Sequence, residues 1–181
     1  TGISMSTMEV VTPKFADLTF DEELDRLDEV AVKVGLGLRA GQELIMSAPM
    51  EALPLVRRIT EHAYKAGALL VTTFYGDDPS VLARFAYAPD ASFDYAPKWL
   101  QDGIAEGFRN GAARLAIAGA NPALLAKQDP AKVARATVAA SKAGKPAMEL
   151  ITRHEINWTI VAYATPEWAQ LVFPEDAEDV A

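Results

Sequence analysis

The chain has 181 residues, of which 50% are apolar and 23% charged, a balance typical of a globular protein rather than a disordered one. The net charge of −8 argues against a nucleic-acid partner, which needs a basic surface, and the lack of cysteine excludes disulfides, thiolate metal sites and cysteine nucleophiles. Apolar runs are far too short for a membrane span, and residues 1–20 show no secretory signal. We therefore expect a cytoplasmic protein that binds neither membrane nor nucleic acid.

The first predicted element is an amphipathic helix. Thr19 and Glu22 have the spacing of a capping box. Apolar residues then recur at steps of three and four: Leu24, Leu27, Ala31, Val34 and Leu38. The pattern predicts a helix of about 17 residues that ends by Gly41. A short strand follows at 43–47, and Pro49 should end it.

A helix is predicted next at about 51–66, followed by a strand at 68–76. The continuous apolar and β-branched content of this strand predicts that it is buried. Asp78 and Pro79 then have the sequence of an N-cap and a first-turn proline, opening a helix that reaches about Tyr87.

The rest of the chain continues the alternation of helix and strand. In order, we predict a loop at 88–97, a helix at 97–110, a strand at 114–120, a helix at 129–143 stopped by Gly144, a helix at 146–155, a strand at 158–164 and a helix from Thr165 to Leu171 ended by Phe173 and Pro174. This order predicts an α/β fold: a mostly parallel sheet of about four to five strands with helices on both faces, a Rossmann-like three-layer sandwich.

The chain shows no internal repeat and no linker, so we expect residues 20–176 to form a single α/β domain. Residues 1–19 form an N-terminal tail, and its first four residues, which precede Met5, have the character of an expression remnant.

The stretch RHEINW (153–158) begins like the zinc-binding pattern H-E-x-x-H. The second histidine of that pattern is replaced by Trp158, which also starts a predicted strand, so the helical geometry is missing. The other histidine is His62, far away in sequence. A zinc site from His62, His154 and a carboxylate has no support in the spacing, and we interpret both histidines as surface or helix-end residues.

Two glycine-containing stretches are candidates for phosphate loops. GLGLRAG (35–41) follows a helix and precedes a strand, the reverse of the order that phosphate binding needs, so it indicates a helix end and a turn. GANPALL (119–125) does follow a strand and open a helix, but it lacks the lysine of a P-loop, so its support for anion binding is weak.

Loops at the carboxyl ends of parallel strands are where ligands bind in such sheets. The predicted ones are 47–51, 75–78, 119–121 and 164–167. Within them, Asp77 and Asp78 are candidates for an acid/base pair or a hard-cation site, although a helix cap explains them better. Core or interface roles are favoured for the aromatic residues Phe93, Tyr95, Trp99, Trp158 and Trp168. The residues alone thus yield no complete catalytic constellation.

Three stretches carry a family resemblance. They are LDEVAVKVGLGLRAGQELIMSAPMEALPLVRRITEHAYKAGALLV (27–71), GAARLAIAGANPALLAKQDPAKVARA (111–136) and INWTIVAYATPEWAQLVFP (156–174). Together they resemble the N-terminal part of the thermophilic metallo-aminopeptidase family, of the aminopeptidase T and S type. The resemblance covers roughly residues 20–176 in order.

The resemblance implies a peptidase that removes N-terminal residues from peptides and acts as a homodimer. It implies two divalent metal ions, zinc or cobalt, held by Glu, His and Asp ligands in a C-terminal domain. No position here matches such a ligand, so we assign no catalytic, cofactor-binding or metal residue. Residues 177–181 would start that missing catalytic domain, and Trp158 would belong to the core or a domain contact. We expect the chain alone to be inactive.

Two other interpretations remain open. One is a free-standing module that binds a small anion or nucleotide at the strand ends, residues 75–78 and 119–121. The other is a non-catalytic domain that dimerises through the aromatic loop 93–99.

Overall fold

The structure, a computed structural model, describes residues 19–119, 121–163, 165 and 168. The strands are β1 (Glu43–Pro49), β2 (Leu70–Gly76), β3 (Ala113–Ala118) and β4 (Trp158–Ala162). The α-helices are α1 (Phe20–Val30), α2 (Leu53–Lys65), α3 (Asp78–Tyr87), α4 (Lys98–Arg109) and α5 (Pro130–Thr152). Shorter helical segments are a π-helical turn (Ala31–Leu36) and 3₁₀ turns at Met50–Ala52 and Asp90–Asp94.

The four strands form one parallel sheet in the order β2-β1-β3-β4. Helices pack on both of its faces, which confirms the predicted α/β class and the parallel sheet. The two central strands, β1 and β3, supply the most deeply buried sheet residues, such as Leu44, Met46 and Leu115.

Each face of the sheet has its own apolar core. On one face, the π-helical turn and α2 pack against β1, β3 and β4 through residues such as Val32, Ile59 and Val161. On the other face, α4 and α5 pack against each other through Phe108, Ala147 and their neighbours, with Ile45 of β1 beneath them. The alternation of side chains along each strand sends successive residues to the two cores.

The capping box that opens α1 is confirmed, the predicted end of this helix is wrong, and the predicted apolar positions are only partly buried. The helix continues into the π-helical turn and ends at Gly37, whose φ of 61° is left-handed, rather than at Gly41. A π-turn inserts an extra residue per turn, which rotates the following side chains around the helix. Val34 is therefore exposed and Val32 buried. Before the turn, Leu27 is exposed and Asp28 is buried.

The strand predicted at 68–76 is confirmed as β2, but the prediction that it is buried is wrong. It forms an edge of the described sheet, and Leu70 and Tyr75 are 49% and 44% exposed. The apolar run does not distinguish an edge strand from a central strand, because the sequence pattern alone carries no information on strand order.

The two helices predicted at 129–143 and 146–155 form a single helix, α5, which passes through Gly144 and Pro146. Proline inside a helix removes one backbone hydrogen bond, but the packing of Ala147 and Ile151 against α4 holds the helix together. The helix predicted from Thr165 to Leu171 and its end at Phe173 and Pro174 lie outside the described residues, apart from Thr165 and Trp168.

Candidate functional site

A cavity of about 240 Å³ lies at the carboxyl ends of the strands. The chain leaves β1 toward β2 on one side and later returns to place β3 on the other side, so the connections reverse between β1 and β3. This reversal is the topological switch point where open α/β sheets bind ligands. The cavity is lined from loops that follow all four strands, including Glu51, Asp78, Gly119 and Thr165. The predicted location of a binding crevice is therefore confirmed as a cavity.

The polar groups of this strand-end cavity are acidic or neutral. Glu51 and Asp78 contribute carboxylates, and none of the described residues that line the cavity is a lysine, arginine or histidine. The Oδ1 atom of Asn121 accepts the backbone N–H two residues later at 2.9 Å, which leaves its amide N–H groups as donors. The buried Thr165 accepts the backbone N–H of Trp168 at 3.3 Å. The cavity is suited to a cationic or neutral hydrogen-bonding ligand.

Gly119 is required by the shape of the cavity wall. A Cβ atom at this position would lie 2.4 Å from the carbonyl oxygen of Tyr163. The chain after β3 and the chain after β4 thus approach so closely that only glycine fits. GANPALL does line a ligand-sized space, but the nearby carboxylates make it a poor anion site.

Asp77 and Asp78 have separate tasks. Asp77, rather than the predicted Asp78, is the N-cap of α3 and accepts the backbone N–H of Ser80 at 3.0 Å. Asp78 is the first residue of the helix and lines the cavity. The cap interpretation of the pair is confirmed with a shift of one residue, because the helix begins one position earlier than the proline pattern suggested.

The other glycine stretch, GLGLRAG, lies at the opposite edge of the sheet, before β1. It forms the end of the π-helical turn and a loop, with Gly37 and Gly41 at φ of 61° and 80°. It has no part in the strand-end cavity, which confirms its interpretation as a helix end and turn.

The two histidines belong to opposite faces of the sheet. His62 lies in the last turn of α2, is buried, and its Nε2 atom is 2.8 Å from a carboxylate oxygen of Asp25 in α1. The bond to His62 lowers the pKa of Asp25. His154 is exposed just after α5, with a left-handed φ of 56°. Both are helix-end residues, as predicted; His62 is buried and His154 is exposed.

No metal site exists among the described residues: none of their histidine, aspartate and glutamate side chains form a group of three or more able to hold an ion. Within RHEINW, Trp158 is the first residue of β4 and pairs with Arg114 of β3. Residues 153–157 form the turn between α5 and β4, so the stretch lacks the helical geometry that the zinc pattern needs. The described residues do not fit a metal centre.

The aromatic residues of segment 93–99 divide between core and surface. Phe93 is buried against Phe85 with ring centroids 5.0 Å apart. Tyr95 and Trp99 are 63% and 72% exposed. At the edge of the sheet, Trp158 is 37% exposed, so it is not a core residue of the described part, and its role in a domain contact stays a prediction.

Sequence reasoning missed two features. Asp28 is fully buried although it lies in the charged segment FDEELDRLDEV. A second cavity of about 310 Å³ lies between the sheet and the helices α4 and α5, and Arg114 of β3 lines it. The residue Arg114 stands within the apolar run RLAIAGA, where its charge between apolar neighbours was the available signal.

Comparison with known proteins identifies the class. The family model described as "Thermophilic metalloprotease (M29)" matches residues 20–181. Together with the α/β fold and its parallel sheet, this match defines the chain as a member of a peptidase family. The chain belongs to the thermophilic metalloprotease family M29, and the resemblance noted from the sequence is confirmed.

Individual relatives agree. Aminopeptidase T of Thermus thermophilus is 48% identical over 162 residues, which cover 90% of this chain and 40% of the relative. Aminopeptidase 2 of Geobacillus stearothermophilus is 36% identical over 162 residues, 90% of this chain and 39% of the relative. Aminopeptidase AmpS of Bacillus subtilis is 33% identical over 163 residues, 90% of this chain and 40% of the relative.

A solved structure, wild-type AmpT from Thermus thermophilus, superposes with a TM-score of 0.85 at 48% identity, covering 88% of this chain and 41% of that one. The chain thus spans about 40% of the length of the curated relatives that it matches. No described helix is long and apolar enough to cross a membrane.

Proposed function

We propose that this chain is the N-terminal α/β domain of a divalent-metal-dependent aminopeptidase that removes N-terminal residues from peptides. The observation that carries the proposal is the match of residues 20–181 to family M29, with 48% identity to an aminopeptidase of which only 40% is covered. Two zinc or cobalt ions would be held by a C-terminal catalytic domain. This chain would be a cytoplasmic homodimer subunit without catalytic residues of its own.

The described residues support a scaffolding role for the domain. They offer carboxylates at the strand-end cavity but no third ligand close enough for a metal ion. A rigid sheet with a cleft at its carboxyl edge is suited to form one wall of a substrate chamber. The domain would restrict access to chain ends, and the chemistry would belong to the remaining part of the protein.

A chimera tests this assignment. The matching segment of the Thermus thermophilus aminopeptidase T is replaced by residues 20–176 of this chain. We expect the chimera to cleave an aminoacyl p-nitroanilide in the presence of zinc or cobalt and to lose this activity with a chelator. A folded chimera that binds metal but shows no cleavage would contradict the domain assignment.

Homodimer formation is proposed through the exposed aromatic loop 93–99. Tyr95 and Trp99 are the most exposed aromatic residues of this loop, and large exposed apolar groups mark interaction sites. We expect Trp99→Ala to lower the sedimentation coefficient from the value of a dimer to that of a monomer. Val34→Ala, which removes an exposed apolar group from α1's side of the sheet, should leave it unchanged. A Trp99→Ala variant that stays dimeric would exclude this loop.

A second candidate function is a small-ligand-binding module, and the observation that favours it is the cavity at the switch point. Its carboxylates disfavour the anion or nucleotide suggested by the sequence pattern and favour an amine. A bound ligand raises the melting temperature. If diamines raise it in the parent but not in Glu51→Gln, and nucleotides do not, the chain works as an amine-binding module.

A further inference from the structure

The cavity between the sheet and the helices α4 and α5, here called the sheet–helix cavity, has a volume of about 310 Å³. Its wall is mainly apolar, with Ile45 and Phe74 from the sheet and Ile104 and Met148 from the two helices. A cavity of this size and character is within the range of small-molecule sites. It lies on the face of the sheet away from α2 and is separate from the strand-end cavity.

Among the described residues that line this cavity, Arg114 is the one with a charged side chain. Arg114 lies in the centre of the sheet, paired with Ile45 of β1 and Trp158 of β4. Its backbone N–H donates to the carbonyl of Asn157 at 3.0 Å, but its guanidinium has no hydrogen bond or ion pair with any described residue. Burial lowers the pKa of Arg114, the direction expected for a cation that is partly removed from water without a partner.

The lack of a partner distinguishes Arg114 from the other arginines that are shielded from solvent. Arg84 donates to the carbonyls of Ser92 and Tyr95, and Arg135 is paired with aspartates of the 3₁₀ turn Asp90–Asp94. Arg58 is also engaged. Among the described arginines that are not exposed, Arg114 alone is left without an interaction, in a chain whose net charge is −8.

We propose that the sheet–helix cavity binds a small aliphatic carboxylic acid, with its carboxylate on Arg114 and its apolar body against Ile45, Phe74, Ile104 and Met148. A guanidinium pairs with a carboxylate through two parallel N–H···O bonds, which fixes the orientation of the acid. Gln101 and Ser47 are further polar groups in the wall that can bond to the same carboxylate.

The wall also sets the specificity. The described part of the wall holds no aspartate or glutamate, so an α-ammonium group would enter without a partner there. A free aliphatic acid such as 4-methylpentanoate should therefore bind more tightly than leucine, which has the same skeleton with an added amine. The acidic side chain of another polypeptide segment is the other source of the same chemistry, and the experiment separates the two.

The experiment is calorimetric titration of the chain with octanoate, with octanamide as the neutral match and with acetyl-Leu-Glu-Leu-amide as the peptide source. We expect saturable binding of octanoate to the parent chain. The affinity of the parent for octanamide, and that of the Arg114→Met variant for octanoate, should each be about tenfold or more lower. Arg39→Met, which removes an exposed arginine of the loop before β1 that does not line the cavity, should bind like the parent.

A second variant keeps the charge and fills the space. Gly144 of α5 lines the cavity, and Gly144→Leu extends a side chain into it, so octanoate binding should be lost while Arg114 stays in place. Circular dichroism establishes that both variants are folded. Equal octanoate affinity in the parent and Arg114→Met, no saturable octanoate binding, or binding of the peptide alone would overturn the proposal.

Discussion

At the residue scale, Asp28 is the most unusual group of the described chain. It lies in α1, is fully buried, and neither of its carboxylate oxygens has a hydrogen-bond partner among the described residues. Burial raises its pKa to about 6, and the positive charges of Arg58 and His62 only partly oppose this, while Asp25 adds to it. The folded state therefore holds a proton on Asp28 more tightly than the unfolded chain does.

This linkage predicts a pH dependence with a definite sign. The folded pKa is about 6 against 3.8 for the ordinary group, so the free energy of unfolding should fall as pH rises through this window and stay low above it. The contribution of Asp28 is about 1–3 kcal/mol. In the Asp28→Asn variant, most of this decrease in the free energy of unfolding between about pH 5 and pH 7.5 should therefore be absent. Urea unfolding at the two pH values measures it.

The control is Asp102→Asn, which removes a half-exposed carboxylate of α4 paired with Lys98. It should retain the pH dependence of the parent. Carboxyls with lowered pKa, such as Asp25, lose their contribution only below their ordinary range, so they do not affect the comparison. An Asp28→Asn variant with the same pH dependence as the parent would show that Asp28 is charged in the folded state.

At the element scale, one side-chain network joins three segments at the amino ends of the strands. The Nδ2 atom of Asn157 donates to the carbonyls of Leu36 and Gly37, and its Oδ1 accepts from Gln42 at 2.7 Å. Gln42 also donates to the carbonyl of Gly111. The loops before β1, β3 and β4 are thereby tied together, which positions the strands and so the cavity at their other end.

Asn157→Ala should lower the free energy of unfolding by about 1–3 kcal/mol, because it leaves several partly buried backbone and amide groups without partners. Asn110→Ala removes an exposed amide at the end of α4 and should change it by less than about 0.5 kcal/mol. Chemical denaturation measures both. Equal effects would mean that the network does not stabilise the fold.

Helix α5 gives a prediction in the opposite direction. Gly144 lies inside this helix, and a Cβ atom there would meet only Gln101 Oε1 within 4 Å, at an ordinary contact distance of 3.6 Å. Gly144→Ala should raise the free energy of unfolding by about 0.5–1 kcal/mol. Gly111→Ala, where φ is +90°, should lower it, and thermal unfolding distinguishes the two signs. Destabilisation by Gly144→Ala would indicate that α5 needs a flexible point.

These elements also show what sequence can predict. Caps and apolar periodicity are local, so the capping box at Thr19 and most helix bounds were predicted within a few residues. Tertiary packing decides the rest: it carries α5 through Gly144 and Pro146, and it exposes β2 by placing it at the edge. The buried Asp28 was missed because its burial depends on the packing of α1 against α2, which the local pattern does not encode.

At the scale of the whole molecule, the sequence predicted where a binding crevice lies but not its charge. The loops after the strands were identified from the predicted topology. That Glu51 and Asp78 line the same cavity depends on strand order, which no local pattern encodes. The family was identified from three long stretches, because together they specify a protein more narrowly than any single site motif. The chain matches only about 40% of each relative, and for this reason we propose that the catalytic metals belong to the remaining part of the protein.

The central claim is that this chain is a structural domain whose parent carries the catalytic metals elsewhere. The most direct measurement is metal content together with hydrolysis of an aminoacyl p-nitroanilide by the purified 181-residue chain, after incubation with zinc or cobalt and removal of unbound metal. We expect no stoichiometric metal and no turnover above the protein-free rate. Stoichiometric metal accompanied by chelator-sensitive turnover would contradict the claim.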